Sequence, residues 1–190
     1  FSSLPPGKWD EQLFLEKINP IYSKKKCKDL KGIKIFQDGG YIIKTYPNIL
    51  GLLRLAKYKF RPTNIDPLHF DLWYKGSNIL RDGGSYSYNT TDELFNFFFG
   101  IKSHNSFEFD NKEPMPKISK FLCSNWIKSK NYKINSNKSL STIESNYKIS
   151  NGFHSRKVIS KDNGLYWEII DSLDNFSKIA TLRWRLNKNN

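Results

Sequence analysis

The feature that most narrows the folds open to this chain is a period of two that begins near residue 33 and runs almost to the end. Short runs predict strands at Ile33–Gln37, Gly40–Tyr46, Leu52–Phe60, Leu68–Tyr74, Asn78–Arg81, Ser106–Asp110, Tyr132–Asn135, Leu140–Ile149, His154–Ser160, Leu165–Leu173 and Lys178–Leu186. Alternation sends successive side chains to opposite faces, so a ladder of such strands predicts an all-β fold, an antiparallel β-sandwich. In the run from Leu68 to Tyr74, Leu68, Phe70, Leu72 and Tyr74 form the expected core face, with His69, Asp71 and Trp73 on the other. Gly76-Ser77 and Asn163-Gly164 have turn chemistry compatible with positive φ, and each is expected to close a hairpin.

Ahead of the ladder, Trp9, Leu13, Phe14 and Ile18 fall on one helical face that Pro20 stops, which predicts a short N-terminal helical lead-in. The basic, aperiodic stretch Ser23–Lys31 reads as a linker. The expected organisation is a lead-in segment of residues 1–32 and one sandwich domain of residues 33–190, a size that buries a real core. Phe1 in place of Met, with no signal-like segment after it, is read as the mature or truncated start of a larger exported protein. No run approaches eighteen consecutive apolar residues, so no membrane span is expected. Cys27 and Cys123 lack C-x-x-C spacing, which excludes a zinc ribbon or redox motif and leaves open a disulfide or two buried thiols.

The net charge of +13 and pI near 9.6 invite nucleic acid, anionic lipid or acidic polysaccharide as partners. The excess is mostly Lys in a chain also rich in Asn and Ile, a bias that genomic base composition produces without selection for binding. No nucleic-acid-binding module accompanies the charge, so nucleic acid is not an expected partner. There is likewise no glycine-rich phosphate loop and no supported Ser-His-Asp arrangement. The aromatics Phe95, Phe97, Phe98 and Phe99 read as core, and Arg183-Trp184-Arg185 as surface charge around a buried ring.

The most informative stretch runs from Arg61-Pro62-Thr63-Asn64-Ile65-Asp66 through the alternating strand to Tyr74-Lys75-Gly76, then Arg81-Asp82-Gly83-Gly84 before the Tyr86 segment. Ser103-His104-Asn105-Ser106 follows, and later Met115-Pro116-Lys117-Ile118-Ser119. In these motifs and their order the chain resembles the C-terminal β-sandwich of the heparinase II/III-like polysaccharide lyases, closely from about Lys34 to Trp126. The resemblance implies a parent whose N-terminal helical toroid supplies most catalytic groups. It also implies a substrate of uronate-containing acidic polysaccharide (heparan-like, alginate-like or capsular) and a periplasmic or extracellular location. β-Elimination needs a base at C5, an acid for the leaving oxygen at C4, and neutralisation of the uronate carboxylate.

Carried over residue by residue, the family's metal site falls on Asn64, Asp82 and His104. Asn64 stands where the family has His. A carboxamide oxygen is a poor zinc ligand and suits a harder divalent cation, so zinc is disfavoured. Read from the residues alone, a Gly76-Ser77 turn would pair Lys75 with Asn78, set Asp71 opposite Asp82 and bring His69 diagonally near Asp82. His69, Asp71, Asp82 and His104 then form a second candidate cluster, in which His69 is read first as an ordinary hydrogen-bonded side chain. His69, Arg81 and Arg156 are the candidate substrate contacts, and no catalytic residue is assigned. The rival reading, favoured by Asn64, is a non-catalytic carbohydrate-binding or surface-polysaccharide assembly module.

Overall fold

The computed structural model describes residues 32–187 apart from positions 59, 60, 88, 120, 121, 130 and 151. The chain divides into two units, Phe1–Lys31 and Gly32–Asn190. The expected lead-in helix, the basic linker and Cys27 lie outside the described residues.

Two antiparallel sheets carry the larger unit. The first has β1 (Gly32–Phe36), β2 (Tyr41–Tyr46), β3 (Ile49–Arg54), β4 (Phe70–Tyr74) and β5 (Ser77–Leu80) in sequential order. Its neighbours in sequence are its neighbours in space because each connection is a hairpin or a single longer loop. Three short strands follow, β6 (Phe107–Phe109), β7 (Lys117–Ser119) and β8 (Leu122–Cys123). The second large sheet comprises β9 (Tyr132–Ser136), β10 (Leu140–Ile149), β11 (Gly152–Lys161) and β12 (Tyr166–Asp174), ordered β12-β11-β10-β9; β13 (Ala180–Leu182) pairs with β6. One core cluster joins Ile42, Leu53, Leu55 and Phe70 from the first sheet and its flank to Ile143 and Val158 of the second, with Trp167 and Trp184 packed against it. Inner faces that share one core make a sandwich, as expected.

Three features differ from the sequence reading. The hairpin between β4 and β5 turns on Lys75-Gly76, with φ of 48° and 83°, and pairs Tyr74 with Ser77. Both central residues need positive φ in such a turn, so glycine is placed where it relieves most strain. An irregularity between Leu72 and Trp73 then shifts the register. The second hairpin forms between β11 and β12, but its loop holds a short 3-10 turn, Asp162–Gly164, rather than a two-residue turn. Finally, Asp92–Phe99 is a helix, α1, in a region read only as aromatic core. The Thr91 side chain caps it by accepting from the Leu94 amide, Asp92 and Glu93 occupy its first turn, and it buries Phe95 and Phe99. These two rings join Ile65, Leu68, Phe107, Phe109, Met115, Ile127 and Tyr147 in a second core cluster.

A buried polar residue cluster ties this framework together. Arg156 on β11 is wholly buried, as is His154. β11 is interior to its sheet, so its inward side chains face the sandwich rather than solvent. Arg156 donates from Nε and Nη2 to the two oxygens of Asp171 at 2.7 and 3.0 Å, and from Nη1 to the carbonyls of Leu68 and Asn105 at 2.7 and 2.6 Å. His154 Nε2 lies 2.7 Å from the same Asp171. Arg156 therefore corrects the expectation of a substrate contact: its charge is spent inside, on one carboxylate and on the backbone of two segments that carry the site.

A candidate His-Asp-His site at the end of the first sheet

Three segments deliver the site. The loop after β3 is anchored by Arg54, whose Nε lies 3.3 Å from Asp66, and by the Tyr58 hydroxyl, which donates to Asp66 at 3.0 Å. It ends in Leu68 at φ 55° and in His69, whose carbonyl accepts from the Arg54 amide. The segment after β5 carries Arg81, Asp82 and Gly83; the Gly83 amide donates to the Ser103 carbonyl at 3.0 Å. A Cβ on Gly83 would sit 2.6 Å from that oxygen, so only glycine allows the approach. The third segment leaves α1 through a 3-10 turn, Ile101–Ser103, and presents His104 and Asn105.

Asn105 locks the three together. Fully buried, it donates its backbone N–H to His69 Nδ1 at 2.9 Å and its side-chain amide to the carbonyls of Phe70 and Arg81 at 2.9 and 3.3 Å. Its Oδ1 accepts from the Arg185 amide at 2.6 Å. Singled out from the sequence only as part of a motif, Asn105 holds the geometry of both histidines.

His69, Asp82 and His104 converge, each offering one atom within 4.8 Å of the others. His104 Nδ1 lies 2.7 Å from Asp82 Oδ2, and His69 Nε2 lies 3.4 Å from the same oxygen without hydrogen-bond geometry. Asp82 Oδ1 accepts from the Gly84 amide at 2.5 Å. Burial pulls the Asp82 carboxyl upward, but His104's hydrogen bond, both imidazoles and the Gly84 amide outweigh it and lower its pKa to about 2. Burial lowers His69 to about 4 against the pull of Asp82. At neutral pH Asp82 is charged and His69 is not.

Asp71 is near enough to sense Asp82. Burial, reinforced by that charge, raises Asp71 to about 7, and its Oδ1 is buried without a partner. The shifted register replaces the expected face-to-face carboxylates, yet the two still repel. Arg81 is exposed beside Asp82 and makes no salt bridge among the described residues. Asn64 is half-buried and lines a small cavity of about 250 Å³ with Arg61, Ser85, Phe95 and Phe99.

The donor set fits a metal only in part. Because Nδ1 of His69 accepts the Asn105 N–H, a neutral ring carries its hydrogen on Nε2, the nitrogen that faces Asp82. A metal needs a lone pair there. Ligation by His69 would require moving that hydrogen to Nδ1, against the Asn105 amide. Asp82 offers carboxylate oxygens; His104 Nδ1 donates to the charged Asp82 at 2.7 Å, so the free lone pair of His104 is on Nε2, which is buried without a partner. Two firm donors fall short of a closed zinc site.

The model of the family described as heparinase II/III-like, C-terminal, matches residues 29–190. This chain belongs to that family. Among solved structures, a heparinase III gene product superposes with a TM-score of 0.67 at 20% identity, over 84% of this chain and 25% of that one. A mutant of the heparan sulfate lyase HepC from Pedobacter heparinus gives 0.66 at 19% identity, over 83% and 24%. These likenesses concern the fold, and this chain spans about a quarter of each lyase. Among curated proteins, none matches the sequence. Asp82 and His104 are positions where the sequence resemblance placed family metal ligands; His69 joins them here, five residues after Asn64.

Proposed function

We propose that this domain is the C-terminal β-sandwich of an exported polysaccharide lyase that cleaves uronate-containing acidic polysaccharide by β-elimination when joined to a helical toroid. The observation that carries the reading is the cluster of His69, Asp82 and His104, in a heparinase II/III-like domain, with the exposed Arg81 adjacent to Asp82 in the chain. Abstraction of the C5 proton puts negative charge next to the uronate carboxylate, and a guanidinium at the cleft offsets it. His69 Nε2 is buried and faces Asp82, so His69 steadies that carboxylate and is not the substrate contact expected of it. The base and acid of the elimination belong to the toroid.

A divalent cation enters the proposal as an ion held by Asp82 and His104, with the Asn64 carboxamide as third donor, a set suited to a harder ion than zinc. Its role would be to offset the Asp82 charge. The second reading, a carbohydrate-binding module without catalysis, is favoured by the carboxamide at Asn64.

The test is to express the full-length parent and follow the unsaturated-uronate chromophore over glycosaminoglycans, alginate and bacterial capsular polymers. Chromophore release that falls at least about tenfold in Arg81→Ala supports the lyase reading. Glycan binding with no unsaturated product from any polymer overturns it and leaves the binding module. Export is checked on the same strain by fractionation.

A further inference from the structure

One cavity has no part in the His-Asp-His cluster. It is a groove of about 940 Å³ formed where the loops around β7 and β8 meet the β10–β11 hairpin. Trp126 lies half-buried in its wall with its indole Nε1–H already donated to the Cys123 carbonyl at 2.9 Å, so the ring is fixed and offers surface rather than a donor. Pro114 and Pro116 add rigid apolar wall, and three exposed ammonium groups, Lys112, Lys128 and Lys148, line the groove. None of the three makes a salt bridge among the described residues. The one acid lining the groove, Glu113, turns its carboxylate to the Ile101 amide, from which it accepts at 3.0 Å.

A fixed aromatic surface with unpaired cations around it matches one chemistry: pyranose rings, whose apolar C–H faces stack on an indole, carrying carboxylate or sulfate groups that reach the ammoniums. We infer that this groove is an accessory binding site for an anionic oligosaccharide, separate from the cluster at Asp82. Its volume is that of a ligand pocket for more than a single small group. A nucleic acid would present phosphates to the same lysines, but one indole flanked by prolines offers no run of stacking platforms. The inference adds a second point of attachment to the polysaccharide reading and rests on it only for the identity of the natural polymer.

The test uses the 190-residue chain and a heparin-derived tetrasaccharide, with maltotetraose and a single-stranded oligonucleotide of equal charge as comparison ligands. Indole fluorescence and titration calorimetry read binding. Lys112→Ser/Lys128→Ser/Lys148→Ser should weaken the tetrasaccharide about tenfold or more. The equally discharged Lys133→Ser/Lys138→Ser/Lys178→Ser should bind as wild type does. All six positions are exposed, and circular dichroism checks that both variants fold. Equal losses in the two triple variants would reduce the effect to net charge and overturn the site, as would an oligonucleotide binding as tightly as the tetrasaccharide. Asp82→Asn should leave this affinity unchanged; a parallel loss would place the ligand at the other cluster. A parent that binds here and yields no unsaturated product would sink the lyase reading alone.

Discussion

At Asp82 the chain holds a charged carboxylate between two histidines, and the atoms that decide its chemistry belong to Asn105. By giving its N–H to His69 Nδ1, Asn105 makes His69 a donor rather than a ligand. The expected consequence is weak zinc binding by the wild type in calorimetry, a rise of about tenfold or more in Asn64→His, and none in Asp82→Ala. Tight wild-type binding with a perturbed His69 imidazole resonance would overturn the tautomer argument. Arg156 gives a second test at this scale. Removing one partner of a buried ion pair leaves the other uncompensated, so Arg156→Met should cost roughly 3–5 kcal/mol in urea unfolding. A variant of normal stability with lost glycan affinity would return Arg156 to the substrate. Sequence made the titratable residues conspicuous but gave Arg156 the wrong surroundings, because an arginine at an inward strand position looks the same in a linear pattern as one facing solvent.

Among the elements, the long strands were the most legible. Leu140–Ile149 appears with its expected limits, since ten residues of alternation leave little ambiguity. The face of β4 was legible in part: Phe70 is 1% exposed and belongs to the core joining both sheets, but Tyr74, expected on the same inner face, is exposed, and His69, expected on the other, is buried. Phe70→Ala should therefore destabilise the domain by roughly 3–5 kcal/mol. A loss under about 0.5 kcal/mol would mean that the inner face has been misassigned. Helix α1 was not legible from periodicity because four phenylalanines within five positions satisfy neither pattern; its local sign was Thr91 followed by Asp92 and Glu93. The β4–β5 register was missed by one turn position, since both Lys75-Gly76 and Gly76-Ser77 contain the glycine that such turns favour.

For the whole molecule, the buried groups set opposing responses to pH. His69 has a folded pKa of about 4, below its unfolded value near 6.5, so the unfolded chain binds more protons between those values and stability rises with pH there. His154, also lowered by burial, acts in the same direction. Asp71 has a folded pKa of about 7, above its unfolded value near 3.8, so the folded chain binds more protons and stability falls as pH rises through that window. The wild type is expected to show a shallower profile between about pH 4 and 7 than the two histidines alone would give, because Asp71 opposes them. Asp71→Asn should remove the falling contribution and leave stability climbing with pH, as read by urea unfolding at several pH values. A variant profile as flat as the wild type would show that Asp71 is not the opposing group. By itself the sequence determined the all-β class, most strand positions and the motif residues Asp82, His104 and Asn64, because alternation and short motifs are local. The sequence also offered two candidate clusters, and only the tertiary structure decided that His69 is the residue that meets Asp82 and His104, that Arg156 is internal, and that Trp126 meets three lysines across a groove. Those outcomes depend on which loops the two sheets bring together, and on the hydrogen-bond partners buried groups must find there.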